Sequence, residues 1–122
     1  MATRGIRGAI NVYKDTPAEI STAIDTLFAT LIEKNAGLTQ EDVGSILITV
    51  THDIRSAFPA KAIREMGWQT VPMMCAQEIP VEGSLPLCIR VLVHWNTDLP
   101  QNKITHIYLR EATKLRPELA EI

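Results

Sequence analysis

The stretch "LCIRVLVHWN", Leu87–Asn96, decides how this chain is read. It has the Ile/Val/Leu content of a buried β-strand, yet a permanently charged arginine stands inside it. Side chains alternate between the faces of a strand. Ile89, Val91, Val93 and Trp95 therefore share one face, which is plainly core. Cys88, Arg90, Leu92, His94 and Asn96 share the other, a mixture better suited to a pocket wall than to a core or an open surface. A buried guanidinium without a partner costs several kcal/mol, roughly. Two accounts of Arg90 stay open from the strand alone. Either it forms a structural salt bridge to a buried carboxylate such as Glu78, or it waits for an anionic ligand.

The rest of the chain supplies the layers around this strand. Residues 4–12, "RGIRGAINV", read as a first strand with Ile6 and Arg7 on opposite faces. Next comes a helix. Thr16 is placed as N-cap, Pro17 lies in the first turn and Glu19 completes a Thr-x-x-Glu capping box. Ile20, Ala23, Ile24, Leu27, Phe28, Leu31 and Ile32 form its apolar stripe, with Gly37 as the expected C-cap. "SILITVT" (45–51) reads as a strand buried on both faces, "FPAKAIREMG" as a short helix, and "ITHIYLR" (104–110) as a last strand. The order β-α-β-α-β-β-β suggests an α+β or α/β fold with a mixed sheet and helices packed on it, α+β being the assignment taken. One long and one short helix cannot cover both faces of such a sheet. The second face is therefore expected to be buried against partner subunits, the alternative being a two-layer monomer with one wet face.

Composition narrows the function. The chain has 122 residues, read as one domain over 1–122, and a formal net charge of -2, which argues against general nucleic-acid binding. No apolar run approaches the roughly 20 residues that span a bilayer. The N-terminus has no signal-peptide pattern, so a cytoplasmic location is expected, with Cys75 and Cys88 as free thiols. His52, His94 and His106 lack metal-ligand spacing, and no nucleophile or phosphate-loop motif occurs. Candidate anion binders are plentiful instead: Arg7 between glycines, Lys61 and Arg64 three apart on the short helix, Arg90 and Arg116. If several converge, the ligand is a small di- or tricarboxylate, because arginine grips carboxylates bidentately. Abundant cations without a nucleophile suit a reaction that needs only positioning and electrostatics.

"RGIRGA", "FPAKAIRE", "GWQTVPMMCAQE", "CIRV", "THIYL" and "LRPEL" occur in this order across nearly the whole chain. Together they resemble the monofunctional chorismate mutases of the trimeric α/β-barrel-like class. The resemblance implies a cofactor-free, metal-free homotrimer with active sites between subunits, converting chorismate to prephenate on the route to phenylalanine and tyrosine. It implies that Arg90 faces the ether oxygen of the breaking bond and Arg7 holds a carboxylate. Glu78 would accept a hydrogen bond from the ring hydroxyl, with Cys75 nearby, and Tyr108 would contact the side-chain carboxylate region. Phe58, Ala60, Lys61 and Arg64 would supply wall and positive field from the neighbouring subunit. Leu115 and Arg116 would close the mouth as the tail orders. Met73 and Met74 stand where the family pattern has valine and threonine, which removes a hydroxyl from the expected wall. Two rival readings are a non-catalytic trimeric binder of an aromatic-pathway acid and a small trimeric imine deaminase.

Overall fold

The computed structural model describes residues 1–116. Seven regular elements follow the expected order: β1 (Ala2–Asn11), α1 (Pro17–Lys34), β2 (Val43–Val50), α2 (Pro59–Glu65), β3 (Met73–Gln77), β4 (Cys88–Thr97) and β5 (Ile107–Tyr108). Short 3₁₀ turns at Gln40–Asp42, Gln101–Lys103 and Arg110–Lys114 connect or follow them. The five strands make one mixed sheet in the order β3-β2-β4-β1-β5. β4 runs antiparallel to both β1 and β2, while β3 and β5 add in parallel at the two edges.

Both helices lie on one face of the sheet. Ile20, Ile24, Leu27, Phe28 and Leu31 of α1 and Ile63 of α2 join Ile6, Ile10, Ile46, Ile48, Ile89, Val93 and Trp95 in a single buried cluster. Phe28 meets Trp68 edge-to-face at 5.4 Å, tying α1 to the segment after α2. Gly8 shows why α1 can lie so close to β1. A Cβ there would stand 2.9 Å from Val91 Cγ2 and 3.3 Å from Leu27 Cδ1. The small residue of "RGIRG" thus makes room for the core layer.

Several local expectations change. Thr16 caps α1 through a 3.2 Å bond from the Glu19 N–H, but Glu19 Oε1 accepts from the Tyr13 N–H, so the capping box is only half formed. Asn35, not Gly37, caps the helix C-terminus, and Gly37 takes its positive φ of +88° in the following turn. Asn35 is buried because its amide also bridges Leu31 O and both backbone groups of Thr105. Ile32, assigned to the apolar stripe, is 40% exposed. Within the chain β2 is buried on one face only: Ile46 and Ile48 face the helices, whereas Leu47 is 40% exposed. Alternation leaves Ser45, Leu47 and Thr49 on the open face, while a register shift between Val43 and Ser45 turns Val43 back into the core.

The last strand is two residues long rather than seven, because side chains take the place of its backbone. The Gln101 carboxamide pairs with both the N–H and the C=O of Gly5, and His106 Nδ1 accepts from the Arg7 N–H at 2.9 Å. Main-chain pairing on that edge is confined to Gly8 with Ile107 and Ala9 with Tyr108, extended by the Leu109 N–H donating to Ala9 O at 3.0 Å. Among the described residues, no helix is long and apolar enough to cross a membrane.

Candidate active site

The helix-free face of the sheet carries the site. Backbone register aligns Thr49 (β2), Arg90 (β4), Ala9 (β1) and Tyr108 (β5) in one row across four strands. Leu47, Leu92 and Arg7 form the adjacent row. Residues from both rows, with Leu115 and Arg116 arriving from beyond the last 3₁₀ turn, enclose a cavity of about 450 Å³. That volume lies in the range of small-molecule sites. Ala9 keeps its floor low between Arg90 and Tyr108. Tyr108, Ala9 and Ala112 pack in a small second cluster, with Leu115 against them, which anchors the segment that brings Arg116 to the rim. That segment is held from below by buried Asn11. Its Oδ1 accepts from the Glu111 N–H at 2.8 Å, and its backbone C=O accepts from Arg110 Nη1 at 2.9 Å. Arg110 adopts a left-handed φ of 55° there.

Arg90 has its carboxylate. Its Nε lies 3.0 Å from Glu78 Oε2, with Glu78 the more buried of the two side chains. The contact is an ion pair without a directed hydrogen bond. Among the described residues, Arg90 Nε is the one buried side-chain nitrogen or oxygen that makes none. Leaving such a donor unused costs roughly 1–3 kcal/mol. Glu78 Oε2 is already engaged, accepting from Thr49 Oγ1 at 2.5 Å. Glu78 itself borders the adjoining groove under the 79–86 loop, so it grips Arg90 from behind. Arg90 is thus ion-paired as the first account had it, and it also lines an open cavity.

Other titratable groups have clear environments. Burial pushes the Cys88 thiol up to about 11, only partly opposed by the nearby Arg90 guanidinium, so at neutral pH it is a protonated core group. His106 titrates below its ordinary 6.5, first because it is half-buried and then because Arg7 and Arg116 stand near it. A neutral ring is what its Nδ1 needs to accept the Arg7 N–H. His94 is held by Ser45 Oγ at 2.9 Å, an ordinary structural contact.

The remaining sequence candidates lie elsewhere. Cys75 pairs with Ile48, so it points to the helix side and not to the face of Arg90 and Glu78. It lines a second cavity of about 370 Å³ together with Phe58. Phe58 is 72% exposed. Within one chain Ala60 is buried in the main core. Lys61 and Arg64 are exposed on α2 along a shallow groove. Met73 packs toward the core, whereas Met74 is exposed on the open face opposite Leu47. Within one chain, then, the structure joins Arg7, Arg90, Tyr108, Leu115 and Arg116, with Glu78 behind them. It leaves Phe58, Lys61, Arg64 and Cys75 in a separate region. The rest of the "LRPEL" segment lies outside the described residues. Thr49, absent from the sequence candidates, enters the site through its register with Arg90.

Comparison with known proteins identifies the family. The chain is 51% identical over 116 residues to the chorismate mutase AroH of Thermus thermophilus, covering 95% of each. It is 46% identical over 121 residues to the chorismate mutase AroH of Bacillus subtilis (strain 168), covering 98% of this chain and 94% of that one. The solved structure of a chorismate mutase from Clostridium thermocellum superposes with a TM-score of 0.87 at 46% identity, over 90% of this chain and 97% of that one. The family model for chorismate mutase type I matches residues 3–119. With that match spanning nearly the whole sequence, the chain belongs to the type I chorismate mutase family.

Proposed function

We propose that this enzyme rearranges chorismate to prephenate, and that the Arg90 cavity is where it does so. The observation that carries the reading is Arg90 itself: a guanidinium held from behind by Glu78 in the middle of a sheet, facing a cavity that Arg7 and Tyr108 also line. The rearrangement is intramolecular. One C–O bond breaks as one C–C bond forms, and no proton is transferred. The protein must hold the flexible substrate compact, with the bonding carbons in contact, and stabilise the negative charge that grows on the ether oxygen.

Arg7 addresses the first task by gripping a carboxylate, which supplies orientation before the bond breaks. Arg90 addresses the second, as a preorganised donor aimed at the developing charge. In this reading Tyr108 and Arg116 bound the carboxylate end, and Leu115 covers the mouth. The cavity is open on the side where the sheet has no helices. We assign the missing wall to a neighbouring subunit of a cytoplasmic homotrimer. Its Phe58, Lys61, Arg64 and Cys75 would face this cavity, as the apolar exposure of Leu47, Met74 and Phe58 supports. Met74 would then fill the interface with an adaptable thioether where a hydroxyl was expected.

The test is loss of chorismate absorbance on adding purified protein at micromolar substrate, with prephenate identified as product. Turnover supports the proposal. Binding without turnover would make the protein a sensor, and neither would remove the assignment.

A further inference from the structure

The geometry points to Thr49 as a positioning residue that sets how Glu78 engages Arg90. This rests on the reading of the Arg90 cavity given above. Glu78 Oε2 is the shared atom. It accepts the Thr49 hydroxyl at 2.5 Å and stands 3.0 Å from Arg90 Nε, yet the Nε–H is left without a hydrogen bond. A carboxylate and a guanidinium left to themselves adopt a fork-to-fork pair with two parallel N–H···O bonds. Here the hydroxyl claims the oxygen and holds the carboxylate off that geometry. Arg90 is thereby charge-compensated but not locked, and it lines the cavity.

Thr49 suits the task by position. It lies directly across the ladder from Arg90, while Glu78 is fixed at its backbone by a 2.9 Å bond to Val50 O. The three backbones are thereby fixed relative to one another, and the Glu78 carboxylate and the Arg90 guanidinium adjust by rotation of their side chains. Without the hydroxyl, that rotation lets both carboxylate oxygens close on Arg90. The guanidinium then turns toward Glu78 and away from the reacting oxygen. The loss falls on the transition state more than on ground-state binding.

Thr49→Val tests this with nearly unchanged shape and strand preference. The expected result is a kcat lowered about tenfold, with KM within about threefold of wild type. Thr49→Ser, which keeps the hydroxyl, restores kcat. In a Glu78→Gln background, Thr49→Val has no further effect. A Thr49→Val enzyme at wild-type kcat, a Thr49→Ser enzyme as slow as the valine variant, or losses that multiply in the double variant would each overturn the assignment. A second readout needs no substrate. The Arg90 Nε–Hε resonance in ¹⁵N-labelled, ligand-free protein is identified by its absence in Arg90→Lys. It should move downfield in Thr49→Val, as a bond forms, and stay in place in Thr49→Ser. An unmoved resonance in the valine variant refutes the role of Thr49. A wild-type protein inert toward chorismate refutes the mutase reading instead, and the resonance then decides the Thr49 question alone.

Discussion

Replacing Arg90 with alanine separates catalysis from folding. In the role proposed for Arg90, the expected catalytic loss is that of one preorganised donor at a developing oxyanion, about 10²–10³ in kcat or about 3–4 kcal/mol of barrier. The stability loss is smaller. The Arg90–Glu78 pair is neither surface nor core, with side-chain exposures of 43% and 17%. Exposed pairs contribute about 0–1 kcal/mol and removing one partner of a buried pair costs about 3–5 kcal/mol, so about 1–2 kcal/mol is expected here. Glu78 keeps its bond from Thr49 after the change, which limits the penalty of a stranded carboxylate. At about 4 °C per kcal/mol for a domain of this size, Tm falls by about 4–8 °C and the variant stays folded in an assay at about 25 °C. Arg90→Lys keeps the charge but not the rigid fork, and kcat should stay at least about tenfold down. Initial rates of chorismate loss at saturating substrate, with thermal unfolding followed by circular dichroism, measure both effects. An alanine variant within threefold of wild-type kcat would refute the reasoning.

Gly8→Ala places a methyl 2.9 Å from Val91 Cγ2 and 3.3 Å from Leu27 Cδ1. Overpacking of about 1–3 kcal/mol outweighs the gain of about 0.4–1 kcal/mol from a stiffer unfolded chain, so urea unfolding should show a net loss of about 1–2 kcal/mol. Adding Val91→Ala should give a double variant more stable than the sum of the two single losses. His106 binds its proton less readily folded than unfolded. Its contribution is therefore fully present above about pH 6.5 and is lost as pH falls through that value toward the lower folded pKa. Urea unfolding at about pH 7.5 and about pH 5.5 should show a smaller pH difference in His106→Gln than in wild type. Solution mass measurement should give three copies per particle, and a monomer with full activity would contradict the shared-site proposal.

The alternation in β4 was legible because every second residue there is strongly apolar, and Arg90 stood out against it. The start of α1 was legible because Thr16, Pro17 and Glu19 are local signals. What escaped depends on pairing between distant residues. The face taken by Cys75 depends on the register of β3 against β2, and a shift of one residue reverses it. Thr49 looked like an ordinary strand threonine until the ladder set it across from Arg90. The length of β5 was misread because Gln101 and His106 satisfy the β1 edge with side chains, which no propensity reveals. Exposed Leu47 and Met74 look anomalous in one chain and become reasonable if a second chain covers them.

The proposed rearrangement is carried by orientation and electrostatics without proton transfer. Its most direct test is kcat for conversion of chorismate to prephenate by the purified protein, measured between about pH 6 and about pH 8. Turnover with a flat profile is expected, since no acid or base acts in the proposed step. A bell-shaped profile in that window, or no prephenate at all, would contradict it.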